Sequence, residues 1–317
     1  MEKIPFYEVR SFGEKFNVVF SFVKQNLRYM IRYILYGVLP LSLLGALSVD
    51  NLLAYTMELN EVTVSTTAFQ LFGSYIFLML VCLLVCLWVG SVVFSCMQIY
   101  NERANGLEGI TFSEMKPYMK RNAGRIFKCG LVGILVFLVG IAIFVCCALI
   151  HGFFGFLVFL CLVVLYIPFL LVLPTYIYED ISVWQAYARG LRLGWNTWVG
   201  IFALGFVLLL IVNVLSVVFV IPWELCLFFK AIFIGSDGSQ FGPNIILSVL
   251  QYIFGVIMWV GQFTLSILLF VSISYLYSHA AEQQDDMSVA KGIDDFEGMA
   301  DDNPDDEDLF KKPEPLV

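Results

Sequence analysis

The chain has 317 residues, of which 60% are hydrophobic and only 14% are charged. A soluble globular domain is roughly half apolar and a quarter charged, so this composition excludes an ordinary soluble protein. The net charge of −8 is uneven, because acidic side chains are concentrated in the C-terminal residues 282–317. The protein as a whole therefore does not present an acidic surface, and nothing in the sequence indicates binding to nucleic acid.

Six apolar segments are each long enough to cross a bilayer, which takes about 20 helical residues. They lie near residues 30–49, 70–97, 129–150, 154–177, 199–221 and 246–277. A polar and amphipathic stretch precedes the first segment, so a cleavable signal peptide is not predicted. We predict an all-α membrane protein in which residues 1–281 form one domain of six transmembrane helices, arranged as three hairpins.

Basic residues set the predicted orientation. With the N-terminus inside the cell, all 18 Lys and Arg residues except Lys230 fall on the cytoplasmic side. Cytoplasmic loops carry an excess of Lys and Arg in membrane proteins. Both termini are therefore predicted to be cytoplasmic.

The same local pattern occurs three times: a Ser or Thr is followed three residues later by Glu or Gln. It starts at Ser11, Thr111 and Ser182, and it is typical of a capping box at a helix N-terminus. Each start leads into an amphipathic, basic stretch and then into two apolar segments. We predict three repeat units, each with a cytoplasmic amphipathic interfacial helix before its hairpin. Their approximate bounds are 8–107, 108–180 and 181–280.

The second unit is less regular because it contains Pro117. A helix capped by Thr111 would lose one backbone hydrogen bond at this proline. The alternative is a helix that begins at Pro117, after a separate turn.

Basic side chains beside an apolar stripe are typical of helices that lie on anionic lipid headgroups. The candidates for headgroup contact are Lys15, Lys24, Arg28, Lys120, Arg121, Arg125, Arg189 and Arg192. In the third stretch, Trp184, Trp195 and Trp198 are of the residue type that favours the headgroup boundary. Gly190 and Gly194 have the spacing that lets helices approach closely.

Ionisable residues inside a membrane mark transport paths and proton relays, and none lies well inside the six predicted spans. The uncharged polar residues nearest mid-span are Asn213 and Gln262. Such amides either hydrogen-bond between helices or line a cavity. Asn213 and Gln262 are therefore the cavity candidates.

Catalytic and metal-binding motifs are missing from the sequence. It contains no H-E-x-x-H, C-x-x-C, P-loop or G-x-S-x-G pattern. His151 and His279 fall on opposite sides of the membrane and cannot share a metal ion. Glu179 and Asp180 either end the fourth span before the Ser182 cap, or bind a cation or supply a catalytic acid. We expect no enzyme activity, no cofactor and no metal.

Residues 282–317 are acidic and poor in apolar side chains, which predicts a disordered cytoplasmic tail. The tail either only solubilises the protein or docks a protein partner through Asp308-Leu309-Phe310.

The start of the third repeat resembles a known group of bacterial membrane proteins. Pro174 ends a span, Glu179-Asp180 follow it, and residues 182–186 open a helix that closes in the segment 194–198. This organisation resembles six-span families related to the membrane domain of glycerophosphoryl diester phosphodiesterases. The resemblance implies the fold and a bacterial inner membrane. It implies no activity, because the sequence has no counterpart of the phosphodiesterase catalytic domain.

Two functions fit these features. The first is a non-enzymatic inner-membrane protein that organises lipids or protein partners through its basic interfacial helices. The second is a transporter or flippase-like carrier of an amphipathic or lipidic substrate. A carrier requires the polar residues of the second, fifth and sixth spans to converge on one wet cavity, whereas the first function does not.

Overall fold

The computed structural model describes residues 3–58, 64–236, 241–287 and 289. These residues form helices and contain no strand. The helices are α1 (Phe12–Glu58), α2 (Val64–Glu102), α3 (Phe112–Ile150), α4 (Gly152–Phe169), α5 (Val172–Tyr178), α6 (Val183–Asn196), α7 (Trp198–Ser236) and α8 (Phe241–Asp285).

Six segments are long and apolar enough to cross a membrane, with α4 and α5 together forming the fourth. The prediction of an all-α protein with six spans is confirmed, and the chain is a multi-pass membrane protein. Several helices are longer than the apolar segments that predicted them. Asp285, which the sequence assigned to the tail, still belongs to α8, and residues 291–317 lie outside the described residues.

The three predicted helix starts are confirmed. In each, the backbone N–H of the Ser or Thr donates to the side chain of the Glu or Gln three residues later. The donor–acceptor distance is 2.7 Å at Ser11, 2.9 Å at Thr111 and 3.0 Å at Ser182. These bonds satisfy backbone donors that a helix terminus leaves without a partner.

The basic stretches of the first two units are not separate helices. Both α1 and α3 run without a break from the cap into the span, and only the third unit has a separate helix, α6. The alternative of a helix beginning at Pro117 is wrong, since α3 begins at Phe112. Pro117 removes the donor for the Ser113 carbonyl, but Ser113 is exposed, so water can replace that bond.

Helix α1 packs against α2 and α8, α7 packs against α8, and α2 packs against α3. The last turns of α2, over residues 89–100, are buried throughout. In contrast, most apolar side chains of the α3–α4 hairpin are exposed, which is expected of a surface that faces lipid.

The starts of α1, α3 and α7 and the ends of α2, α5 and α8 lie together, and we call this region the basic end. The extended segment of residues 3–11 also packs here. The Phe6 ring is 4.9 Å from the Tyr178 ring, and the Arg10 backbone N–H donates to His279 Nδ1 at 3.0 Å. This packing was not predicted from the sequence.

Candidate functional site

The carboxylate pair after the fourth span lies at the centre of the basic end. Glu179 is the C-terminal cap of α5, and the capped start of α6 at Ser182 follows directly. The interpretation that Glu179 and Asp180 end the span is confirmed.

Asp180 is paired with arginines of α3. The Arg125 guanidinium donates to the Asp180 carboxylate and, at 3.0 Å each, to the carbonyl oxygens of Tyr176 and Ile177. Arg121 lies 3.7 Å from the same carboxylate. The hydrogen bond from Arg125, together with the charges of both arginines, lowers the pKa of Asp180. Arg125 thus caps the C-terminal carbonyls of α5 and holds an ionised carboxylate beside them.

Glu179 is paired with Arg189 of α6. The Arg189 Nε lies 2.5 Å from Glu179 Oε2, as an ion pair without the alignment of a hydrogen bond. The other carboxylate oxygen accepts from the Tyr277 hydroxyl at 2.7 Å. Arg189 also donates to Asp285 at 2.9 Å. One arginine of α6 therefore joins the ends of α5 and α8.

A buried polar network lies beside Arg125. The Asn122 amide of α3 donates to Ser95 Oγ at 3.0 Å and to Gln98 Oε1 at 2.9 Å. Gln98 in turn donates to the Ile177 carbonyl at 3.1 Å. These bonds connect α2, α3 and α5, and Asn122 is fully buried.

Helix α6 sits against the break between α4 and α5. A Cβ added at Gly190 would lie 2.6 Å from Val172 Cα, and one at Gly194 would lie 2.6 Å from Pro168 Cα. Pro168 also lacks the N–H that would donate to the Val164 carbonyl. The Trp198 indole N–H supplies that bond at 3.1 Å. The two glycines therefore allow α6 to pack closely against α4 and α5 within the chain.

The predicted headgroup residues fall into three groups. Four are exposed and have no ion-pair partner among the described residues: Lys24, Arg28, Lys120 and Arg192. Three gather around the carboxylate pair: Arg121, Arg125 and Arg189. The eighth, Lys15, is buried.

The cavity candidates do not join the buried polar network. Both Asn213 and Gln262 are exposed. The Asn213 amide donates to the Leu209 carbonyl of its own helix at 2.8 Å. Neither position contributes a contact between polar groups of different helices in the described chain.

In the part of the chain that is described, no group of three His, Cys, Asp or Glu side chains is placed to hold a metal ion. Arginines supply the positive charge beside Glu179 and Asp180 that a bound cation would otherwise supply. The arrangement joins helix ends electrostatically.

Sequence reasoning missed Asn122, Tyr277 and the buried segment around Arg10. Asn122 offered one signal, since it is an uncharged polar residue in a stretch whose basic residues surround it. Tyr277 and Arg10 offered none, because their partners lie 98 and 269 residues away along the chain.

Comparison with known proteins adds no relative: no family model, no curated protein and no solved structure matches the chain.

Proposed function

We propose that this membrane protein is non-enzymatic and organises anionic lipid at the cytoplasmic surface of a bacterial inner membrane. The lipid-contacting surface consists of the exposed face of α6 and the exposed basic side chains of α1 and α3.

The exposed face of α6 carries the proposal. Trp184 and Trp195 are 69% and 57% exposed, and at 3.6 residues per turn they lie only about 20° apart around the helix. Arg192, about one turn before Trp195, is exposed as well. Tryptophan and arginine on one free face are typical of a helix at the headgroup boundary.

The ion pairs at the basic end support this function by fixing the position of α6. Its opposite face, which includes Ala186, Gly190 and Leu193, is buried against the protein. Arg189 ties it to α5 and α8. Because α6 is already held in place, its tryptophans and Arg192 can contact lipid without a further loss of conformational entropy by the helix.

The lipid contact predicts that neutralising four of the exposed cations weakens a preference for anionic lipid. The variant carries Gln at Lys24, Arg28, Lys120 and Arg192 in the full chain, reconstituted in phosphatidylcholine vesicles. Electron spin resonance of spin-labelled phosphatidylglycerol and phosphatidylcholine measures the fraction of each lipid held at the protein. Each surface Lys or Arg contributes about 1 kcal/mol of attraction, so we expect the preference for phosphatidylglycerol to fall well below that of wild type, although Lys116 and Lys128 of α3 remain exposed.

The matched control exchanges Lys for Arg and Arg for Lys at the same four positions, which keeps the charge. It is expected to retain the preference, and added salt should weaken the preference in both wild type and control. An unchanged preference in the neutral variant would contradict the proposal.

The proposed orientation predicts where fused reporters appear. A reporter after Val317 should be cytoplasmic, whereas one inserted after Ser236 should lie on the opposite side of the membrane. Activity of a periplasm-dependent reporter and of a cytoplasm-dependent reporter at each position measures this. An extracytoplasmic C-terminus would overturn the orientation.

A further inference from the structure

One face of the first turns of α3 is basic, and we call it the basic face. It consists of four exposed cations: Lys116, Lys120, Arg121 and Lys128. At 3.6 residues per turn these positions lie within a sector of about 140° around the helix. Within the described chain only Arg121 of the four has an ion-pair partner, which is Asp180 at 3.7 Å. The basic face therefore keeps most of its positive charge uncompensated.

The chain carries a complementary negative charge in residues 301–308, which we call the acidic run. Six of these eight residues are Asp or Glu, and none is Lys or Arg. The run lies outside the described residues. A block of like charges is typical of a segment that binds an oppositely charged surface. Several pairs formed together bind where a single exposed ion pair contributes little.

The end of α8 fixes where the chain sets out toward the acidic run. Asp286 has a φ of 45°, and Met287 packs against the buried core. The chain therefore turns back against the protein after α8. Asp301 follows Val289 by 12 residues, which span at most about 40 Å.

A row of ion pairs joins this end of α8 to the basic face. Asp285 of α8 accepts from Arg189 at 2.9 Å, and Arg189 pairs with Glu179 at 2.5 Å. Asp180 follows Glu179 in the chain and lies 3.7 Å from Arg121. The end of α8 and the basic face thus belong to one surface of the protein, and the acidic run starts within reach of that face.

We propose that the acidic run docks on the basic face of α3 in the same chain and competes there with anionic lipid. A tethered segment binds in an intramolecular step, so its effective concentration at the face is high. The docked run reduces the positive charge that α3 presents to lipid headgroups. The docking needs no lipid, whereas the competition rests on the proposed function.

Zero-length cross-linking tests the docking in the absence of lipid. The full chain in dodecyl maltoside is treated with a water-soluble carbodiimide, which joins a carboxylate to an amine only where the two are in contact. Mass spectrometry identifies the linked peptides. We expect links within one chain from the acidic run to Lys116, Lys120 or Lys128. They should be lost in about 1 M sodium chloride, where the screening length is about 3 Å.

Lys24 of α1 is the internal control, because it is an exposed lysine outside the basic face. The acidic run should link to Lys24 less often than to the lysines of α3. Equally frequent links to Lys24, links only between two copies of the chain, or no links from the acidic run would each overturn the docking.

Neutralising the acidic run tests the competition. The variant has each Asp of residues 301–308 replaced by Asn, together with Glu307→Gln. Its control has Asp294→Asn, Asp295→Asn and Glu297→Gln, which leave the run intact. In phosphatidylcholine vesicles with the same spin-labelled lipids, the variant should prefer phosphatidylglycerol more strongly than wild type, and the control should rise less.

The two experiments separate the two claims. An unchanged lipid preference in the neutral-run variant, with the cross-links present, would overturn the competition and leave the docking in place. No preference for phosphatidylglycerol in either wild type or variant would overturn the proposed lipid function and the competition with it. The cross-links alone would still decide whether the acidic run docks on α3.

Discussion

Gly190→Ala should destabilise the protein by about 1–3 kcal/mol, the usual cost of forcing extra volume into a packed contact. The added Cβ would lie 2.6 Å from Cα and 2.9 Å from the backbone nitrogen of Val172. Backbone atoms cannot rotate away as a side chain can. Helix α6 must therefore move off α5, and the contact at Gly194 is expected to loosen with it.

Two measurements check this prediction. The thermal unfolding midpoint in detergent reports the loss of stability. Trypsin cleavage after Arg189 and Arg192, which both lie in α6, reports whether that helix detaches. We expect a lower midpoint and faster cleavage at these two sites.

Gly124→Ala is the control, because a Cβ at Gly124 in α3 would meet nothing within 4 Å. Alanine is favoured over glycine inside a helix by about 1 kcal/mol, so this variant should be as stable as wild type or more so. An unchanged midpoint together with an unchanged cleavage rate in Gly190→Ala would contradict the close contact between α6 and α5.

The spans and the helix starts were predictable because both depend on local sequence. Crossing a membrane requires a fixed length of apolar helix, and a capping box joins residues only three apart. The starts at Ser11, Thr111 and Ser182 could therefore each be predicted from the sequence. The sequence did not show whether such a start begins a separate helix or continues into the span, because that depends on what the helix packs against.

The roles of the basic residues could not be separated by sequence. Lys24 and Arg125 both follow an amphipathic stretch at helical spacing, yet one is exposed and the other is half-buried against Asp180. The difference arises from the approach of α3 to the end of α5, which joins residues 55 positions apart. Charge patterns report which residues are basic, and tertiary contact decides which of them remain free.

The buried position of Lys15 was equally hidden. On a helical wheel it reads as a surface cation beside an apolar stripe. It becomes buried because α7 and α8 pack against α1, and its Nζ lies 3.6 Å from the position that a Cβ on Gly200 of α7 would occupy. No local signal distinguishes a lysine that meets solvent from one that meets another helix.

Arg125→Met should cost about 2–4 kcal/mol, because hydrogen bonds from a charged donor are worth more than neutral ones and their loss leaves partners unpaired. Arg125 has a 17% exposed side chain. It donates to the carbonyls of Tyr176 and Ile177. Methionine fills a similar volume but donates to neither. The end of α5 then loses its tie to α3, and Asp180 keeps only its distant contact with Arg121.

Arg121→Met separates this structural role from the removal of a charge. Both variants remove one positive charge near Asp180, but Arg121 is 51% exposed and lies 3.7 Å away. Exposed ion pairs contribute about 0–1 kcal/mol, so Arg121→Met should change the thermal midpoint little. Equal losses in the two variants would mean that charge alone matters. A much larger loss for Arg125→Met would show that this arginine holds the end of α5 against α3, and so supports the α5–α6 segment that presents the exposed tryptophans.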